Sequence, residues 1–123
     1  MDSASFGATL FFLRHRAQLS QAEAARRAGI SAGYYSSLEN DKRAAPTADA
    51  VTRIADAVET SDRERSLLIS LADGARLTAS LKASGIPAHV VELIAAVRHH
   101  ADQLEPAAAA QLRRSVMEAA MCK

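Results

Sequence analysis

Hydrophobic residues recur at helical spacing along almost the whole chain. In the first run, Phe6, Leu10 and Leu13 follow one another at intervals of four and three residues, so they share one face of a helix over about residues 5–18. Similar runs, bounded by polar residues, occupy about residues 21–28, 31–40, 48–58 and 62–72. The pattern predicts five short helices within residues 1–75 and an all-α fold.

Polar caps and glycines indicate where these helices begin and end. Four N-cap residues precede the second to fifth helices: Ser20, Ser31, Thr47 and Ser61. Glu23 and Glu64 each follow a cap serine by three residues, which is the spacing of a capping box. Gly29 is expected to end the second helix in the left-handed conformation. Gly74 is expected to end the fifth, although the apolar pattern beyond it would allow that helix to continue.

A second apolar stripe begins after a connector at residues 76–88. Within residues 89–123 it predicts two helices joined near Glu105, with Pro106 opening the last one, and thus a helical hairpin. A hairpin of this size has little core of its own, so it must pack either on the first domain or on a second copy of itself. The coiled-coil spacing favours a dimer, whose contact would use Val90, Ile94, Val97, Leu104, Leu112 and Val116.

Composition sets limits on the class of protein. Hydrophobic residues make up 49% of the 123 residues, enough for a core, whereas the net charge is only +1. Six basic residues lie between positions 14 and 43 against three acidic ones, so a local basic surface is compatible with the near-neutral total. No apolar run is long enough to cross a bilayer, no basic leader precedes the apolar start, and the single cysteine, Cys122, cannot form an internal disulfide. We therefore expect a cytoplasmic protein with no membrane partner.

Residues 21–40 have the pattern that two helices joined by a tight turn require. Ala25 is small enough for the two helices to touch, and Gly29, four positions later, tolerates the positive φ of the turn. Apolar anchors stand before the turn, in it and on the inner face of the second helix: Ala24, Ala28, Ile30, Tyr35 and Leu38. The spacing predicts a helix-turn-helix.

Three strings in and around this pattern resemble those of a known family. They are Leu19-Ser20-Gln21-Ala22-Glu23, Ala28-Gly29-Ile30-Ser31 and Leu38-Glu39-Asn40-Asp41-Lys42-Arg43, preceded by a first helix from Phe6-Gly7 to Leu13-Arg14. On these residues the chain resembles the phage repressor and Cro-like (XRE) family. The resemblance covers about residues 6–72 and implies a five-helix lambda-repressor-like domain. It also implies a transcription regulator that binds double-stranded DNA. With the dimer that the C-terminal stripe favours, we interpret the chain as a nucleoid-associated repressor that binds inverted repeats as a homodimer.

The resemblance further implies which residues face the DNA. The helix over residues 31–40 would lie in the major groove, and the helix over residues 21–28 would cross the backbone. The expected contacts are Gln21, Arg26, Arg27, Ser31, Ala32, Gly33, Tyr34, Ser37, Asn40, Lys42 and Arg43. Ala32 and Gly33 stand where relatives carry long polar side chains; Ala32 can touch a thymine methyl, and Gly33 permits a close approach. Arg14 and Glu39 resemble the family's internal ion pair and are not expected to contact DNA.

Some side chains fit two roles at this point. Arg26 and Arg27 fit either phosphate contacts or a solvated charged face. Phe11 and Phe12 fit either a contact with the hairpin or a second copy, or a locally enlarged core. Tyr34 is expected to be exposed toward the DNA.

No catalytic or metal chemistry is expected. His99 and His100 are adjacent, so a helix would turn them about 100° apart instead of toward a shared metal ion. No catalytic triad, carboxylate pair or Gly-rich phosphate loop has a supporting context, so we expect no enzyme, no cofactor and no metal site. The alternative function is a protein-interaction adaptor or an antitoxin-like protein that binds a partner through the same domain. A regulatory protein partner is left open in either case.

Overall fold

In a computed structural model that describes residues 5–122, the regular structure is entirely helical, which confirms the all-α class. The chain divides into two compact units, Met1–Ile86 and Pro87–Lys123. The first contains α1 (Phe6–Arg16), α2 (Gln21–Ala28), α3 (Ala32–Glu39), α4 (Ala48–Ala57) and α5 (Asp62–Ala83). The second contains α6 (Ala88–His99), a short 3-10 helix (Ala101–Gln103) and α7 (Pro106–Met121). None of these helices is long and apolar enough to span a membrane.

The core of the first unit lies where its five helices meet. Helix α4 packs on α2 and α5, while α3 packs on α1 and α2. The largest fully buried side chains are Tyr35, Leu10, Ile54, Leu68, Val51 and Val58. Burying one such aliphatic side chain contributes about 1.5–3 kcal/mol, so the apolar spacing of the sequence accounts for the packing of this unit.

Serine caps begin four of the helices. In each, the hydroxyl oxygen accepts a hydrogen bond from the backbone N–H three residues later: Ser5, Ser20, Ser31 and Ser61. Ser61 and Glu64 form the reciprocal capping box that their spacing predicts. Glu23 instead accepts hydrogen bonds from Arg26 and Arg27, so the box expected at Ser20 is only a cap. Thr47 stands at the N-cap of α4, but its hydroxyl makes no capping bond.

Helix α5 is longer than the sequence indicates. It passes through Gly74 and ends at Ala83, followed by Gly85 with a φ of +87°. Most of the segment 76–88, expected to be a connector, is therefore helical. A glycine inside a helix costs about 1 kcal/mol, and the strong helix formers that follow Gly74 offset this. Within α5, Leu68 and Ala72 are buried, whereas Leu67 is 49% exposed.

The exposed aromatic pair on α1 is not part of an enlarged core. Phe11 and Phe12 are 49% and 62% exposed. The Phe11 ring lies 4.1 Å from the His15 ring, centroid to centroid, and the Arg14 guanidinium carbon lies 5.6 Å from the Phe11 centroid. Polar neighbours thus cover part of one phenylalanine and leave the other facing out.

The second unit has the two helices that the stripe indicates, but they do not form a closely packed hairpin. Helix α6 stops at His99 and the 3-10 helix follows, so the stripe does not continue on one helix as far as Leu104. Pro106 occupies the first turn of α7, as expected. Helices α6 and α7 do not pack extensively on each other. Among the described residues of this unit, Val91 is the only buried hydrophobic residue. Its apolar side chains are therefore mostly left uncovered.

Candidate nucleic-acid interface

Helices α2 and α3 are joined by the tight turn that the sequence indicates. Gly29 adopts a φ of +74°, and the N–H of Ile30 donates to the carbonyl oxygen of Ala25 at 3.0 Å, which closes the end of α2. Ala24, Ala25 and Ala28 are all buried, so α2 can lie close against its neighbours. This geometry fixes α3 relative to α2 and leaves the first turn of α3 at the surface.

An internal ion pair ties α1 to the end of α3. The Arg14 Nε donates to Glu39 Oε2 at 2.7 Å and its Nη2 donates to Glu39 Oε1 at 3.1 Å. Arg14 and Glu39 are only 8% and 7% exposed. Arg14 also donates to the carbonyl oxygen of Leu19 at 2.8 Å, so it fastens the α1–α2 turn as well. Both residues therefore lie where the resemblance places them, inside the domain.

Gln21 completes this network. Its side-chain amide donates to Glu39 Oε1 at 2.9 Å, so the first residue of α2 braces the end of α3. Burial by itself would raise the pKa of the Glu39 carboxyl, but the hydrogen bonds from Arg14 and Gln21 outweigh burial and hold that pKa below its ordinary value. The carboxylate is consequently charged at neutral pH and holds three elements together.

The Tyr35 hydroxyl is buried beside this network without a hydrogen-bond partner among the described residues. Burial is the main cause that raises the pKa of Tyr35 far above its ordinary value, so the phenol stays neutral. Tyr35 is a core residue of α3, as the apolar spacing indicates.

The outer face of α3 offers few polar groups. Ser31, Ala32 and Gly33 are exposed, as a DNA-facing first turn requires. The Ser37 hydroxyl donates back to the carbonyl oxygen of Gly33 at 3.0 Å. Tyr34, expected to be exposed, is instead half-buried and packs on the core. Tyr34 precedes the buried Tyr35, so it lies at the boundary between the buried and the exposed face of α3. Part of its ring is therefore covered.

Gly33 has no structural reason to be a glycine. Its φ is not left-handed, and a Cβ added to it would meet no atom within 4 Å. Gly33 is the second residue of α3, where alanine is still the better helix former. Gly7 is the opposite case, because an added Cβ would lie 2.5 Å from the Glu39 carbonyl oxygen. The glycine in α1 is required by packing and the glycine in α3 is not.

The loop after α3 is anchored by Asp41, a contact that sequence reasoning missed. Asp41 takes a φ of +55°, and its carboxylate accepts hydrogen bonds from the Ser5 hydroxyl at 2.7 Å and the Gly7 N–H at 3.0 Å. It thereby caps the N-terminus of α1 from a position more than thirty residues away. The Phe6-Gly7 pair is the one feature of the sequence that indicates this contact, because a glycine in the first turn of α1 lets the Asp41 carboxylate approach the backbone closely.

Asn40, Lys42 and Arg43 are exposed around this anchor. The Asn40 amide donates to the carbonyl oxygen of Ser36 at 2.9 Å, and the Arg43 guanidinium carbon lies 5.9 Å from the Tyr34 ring centroid. Neither Lys42 nor Arg43 forms a salt bridge with any residue from 5 to 122. The loop therefore presents two cations that carboxylates of the described chain do not neutralise.

Arg26 and Arg27 differ from the loop cations in this respect. Arg26 pairs with Glu23, and Arg27 pairs with both Glu23 and Glu59 at 2.9 and 3.1 Å. Hydrogen bonds from the two arginines lower the pKa of Glu23 to about 2. The structure brings these arginines into an exposed ion cluster, which favours the charged-face interpretation over a dedicated phosphate contact.

Comparison with known protein families matches residues 5–68 to one described as a helix-turn-helix domain. The matched range runs from the N-cap of α1 into the first part of α5 and makes up more than half of the 123 residues. It includes α2, α3 and the loop between α3 and α4. No curated protein and no solved structure gave a significant match.

Proposed function

Since the chain belongs to the helix-turn-helix domain family, we propose that it is a transcription regulator, a repressor, that binds specific duplex DNA sequences as a homodimer. The observation that carries the proposal is the exposed first turn of α3 together with the loop cations Lys42 and Arg43, which form no salt bridge with any residue from 5 to 122. A helix that reads the major groove needs its N-terminal turn free, with phosphate-binding groups beside it. A protein with this function would be found in the cytoplasm, at the nucleoid.

The proposed contacts divide into two classes. Base contacts come from the outer face of α3: Ser31, Ala32, Gly33, Tyr34 and Ser37. Phosphate contacts come from Gln21, Asn40, Lys42 and Arg43. Arg26 and Arg27 contribute less in this proposal, because each must exchange a carboxylate partner for a phosphate. Phosphate contacts supply affinity and register, and the short, largely apolar side chains of α3 leave much of the sequence preference to DNA shape.

The homodimer is supported by the uncovered apolar residues of the second unit. Three of the proposed contact residues, Val97, Leu112 and Val116, are 44%, 47% and 54% exposed, while Val90, Ile94 and Leu104 are half-buried. Leu93 and Met117 are also about half exposed. Apolar residues gathered on so small a unit need a covering partner, and a second copy would cover them with the same residues. Two-fold pairing would set half-sites about 34 Å apart, one turn of DNA.

The DNA-binding proposal is tested by selection from a randomised duplex library with the purified full chain. We expect an inverted repeat to be enriched, and affinity for it to fall steeply as salt rises. Lys42→Ala should weaken binding to all duplexes alike and reduce the slope of log affinity against log salt by about 0.9 for each lost phosphate contact. Lys82→Ala, which removes an exposed lysine near the end of α5, is the matched control and should leave the slope unchanged. Weak binding at low salt with no enriched sequence would contradict the proposal and favour the adaptor function.

The dimer is tested separately by sedimentation of the full chain over a range of concentrations. Leu112→Asp combined with Val116→Asp should convert a dimer to a monomer, because each places a charge on the apolar face of α7. Gln111→Asp combined with Ser115→Asp adds the same charge at exposed neighbouring positions on another face and should leave the dimer intact. A wild-type monomer at high concentration would contradict this part of the proposal and leave DNA binding to be judged on its own.

A further inference from the structure

Gly33 lies in the first turn of α3, where the protein itself gives no reason for the absence of a side chain. It is exposed, its backbone is compatible with any residue, and a Cβ added there would have open space for at least 4 Å around it. Alanine at this position would favour the helix more than glycine does. The glycine therefore leaves room at the surface of α3 for a group that approaches from outside.

The α3 side chains around Gly33 are mostly short or apolar. Ala32 contributes a methyl group, and the Tyr34 ring lies on the other side, half-buried beneath Arg43. One turn later the Ser37 hydroxyl is directed back to the Gly33 carbonyl oxygen. None of the α3 residues on this surface carries a long polar side chain that could make a bidentate hydrogen bond to a base edge.

We propose that Gly33 is a specificity-determining residue that lets α3 approach the C5-methyl group of a thymine. The inference rests on the DNA-binding function proposed above and names the chemistry that its recognition helix reads. Thymine is the base that presents an apolar group in the major groove, and a surface of Ala32, a bare backbone and a tyrosine ring matches that group. A Cβ on residue 33 would occupy the space that the methyl group takes.

The test is a four-way comparison of binding affinity. Wild type and Gly33→Ala are each titrated with the selected duplex and with duplexes in which one half-site thymine at a time is replaced by deoxyuridine, which lacks only the methyl group. For the contacted thymine, wild type should lose about fourfold in affinity, the value of one buried methyl group. Gly33→Ala should bind the thymine duplex about tenfold more weakly than wild type. For the variant, deoxyuridine should restore part of the lost affinity, because removal of the thymine methyl group makes room for the Cβ of residue 33.

Two controls separate this role from a structural one. Gly33→Ala should raise the melting temperature by about 2–4 °C, because alanine favours the helix, so its weaker binding cannot come from unfolding. Deoxyuridine in the flanking DNA should have no effect on either protein. Equal affinity of wild type and Gly33→Ala for the thymine duplex would overturn the inference, as would a selected half-site in which no deoxyuridine substitution matters. If the wild type binds no duplex at all, the proposed function fails together with the inference.

Discussion

Removal of the Glu39 charge should destabilise the first unit strongly. In Glu39→Gln the Arg14 guanidinium keeps its buried position but loses the carboxylate that accepts two of its hydrogen bonds, at 2.7 and 3.1 Å. The side chains of Arg14 and Glu39 are only 9% and 2% exposed, so solvent screens the pair poorly. Removing one partner of a buried ion pair lowers the free energy of unfolding by about 3–5 kcal/mol. We expect about 3 kcal/mol here, because Arg14 keeps its hydrogen bond to the Leu19 carbonyl oxygen.

Urea unfolding of the full chain, followed by far-ultraviolet circular dichroism, measures this loss. The replacement of both partners, Arg14→Met with Glu39→Leu, should be less destabilising than Glu39→Gln alone, because no unpaired charge remains buried. An unchanged urea midpoint in Glu39→Gln would mean that the ion pair contributes nothing to stability despite its burial, contrary to this prediction.

The same carboxylate makes stability depend on pH. The pKa of Glu39 is lower in the folded protein than its ordinary value near 4.5, so the folded state favours the ionised form. The contribution is fully present above about pH 5 and is lost as the pH falls through the folded pKa. Wild type should therefore lose stability below pH 5 more steeply than Glu39→Gln, as chemical denaturation at several pH values would show; parallel curves would count against the assignment.

Three further substitutions test the packing of the first unit by thermal or chemical denaturation. Gly7→Ala should destabilise by about 1–3 kcal/mol, because its Cβ would lie 2.5 and 2.6 Å from the carbonyl oxygens of Glu39 and Leu38; an unchanged stability would mean that α1 and α3 can separate freely. Gln18→Gly should stabilise by about 0.5–1 kcal/mol, since Gln18 has a φ of +60° and an exposed side chain, and a loss of stability would contradict this. Tyr35→Phe should be neutral or stabilising by about 1 kcal/mol, because it removes a buried hydroxyl that has no hydrogen-bond partner among residues 5–122; a marked loss would reveal a partner for that hydroxyl.

Local sequence signals predicted most of the helix boundaries in the first unit. Ser20, Ser31 and Ser61 cap helices as expected, and Gly29 ends α2 in the left-handed conformation, because capping depends only on residues three or four positions apart. The same kind of local signal gave the wrong end for α5 at Gly74. A glycine ends a helix only when the residues beyond it stop favouring one, and those after Gly74 do not.

Contacts between distant segments could not be predicted from the spacing of residues. The cap that Asp41 provides to α1 depends on a left-handed backbone after α3 and on the approach of two helix ends. The pairing of Arg27 with Glu23 follows from their four-residue separation, whereas its pairing with Glu59 requires the packing of α2 on α4. Charge counts along the sequence therefore overstated the cations available to DNA.

A nuclear magnetic resonance titration would show whether the first turn of α3 and the loop after it form the DNA-binding surface. Backbone amide signals of the labelled full chain would be followed as the selected duplex is added at low and at raised salt. We expect the largest shifts on residues 31–37 and 40–43, little shift of the amides in the second half of α5, and smaller shifts as salt rises. Shifts that are absent at low salt, or that concentrate outside α2, α3 and the loop after α3, would contradict this expectation.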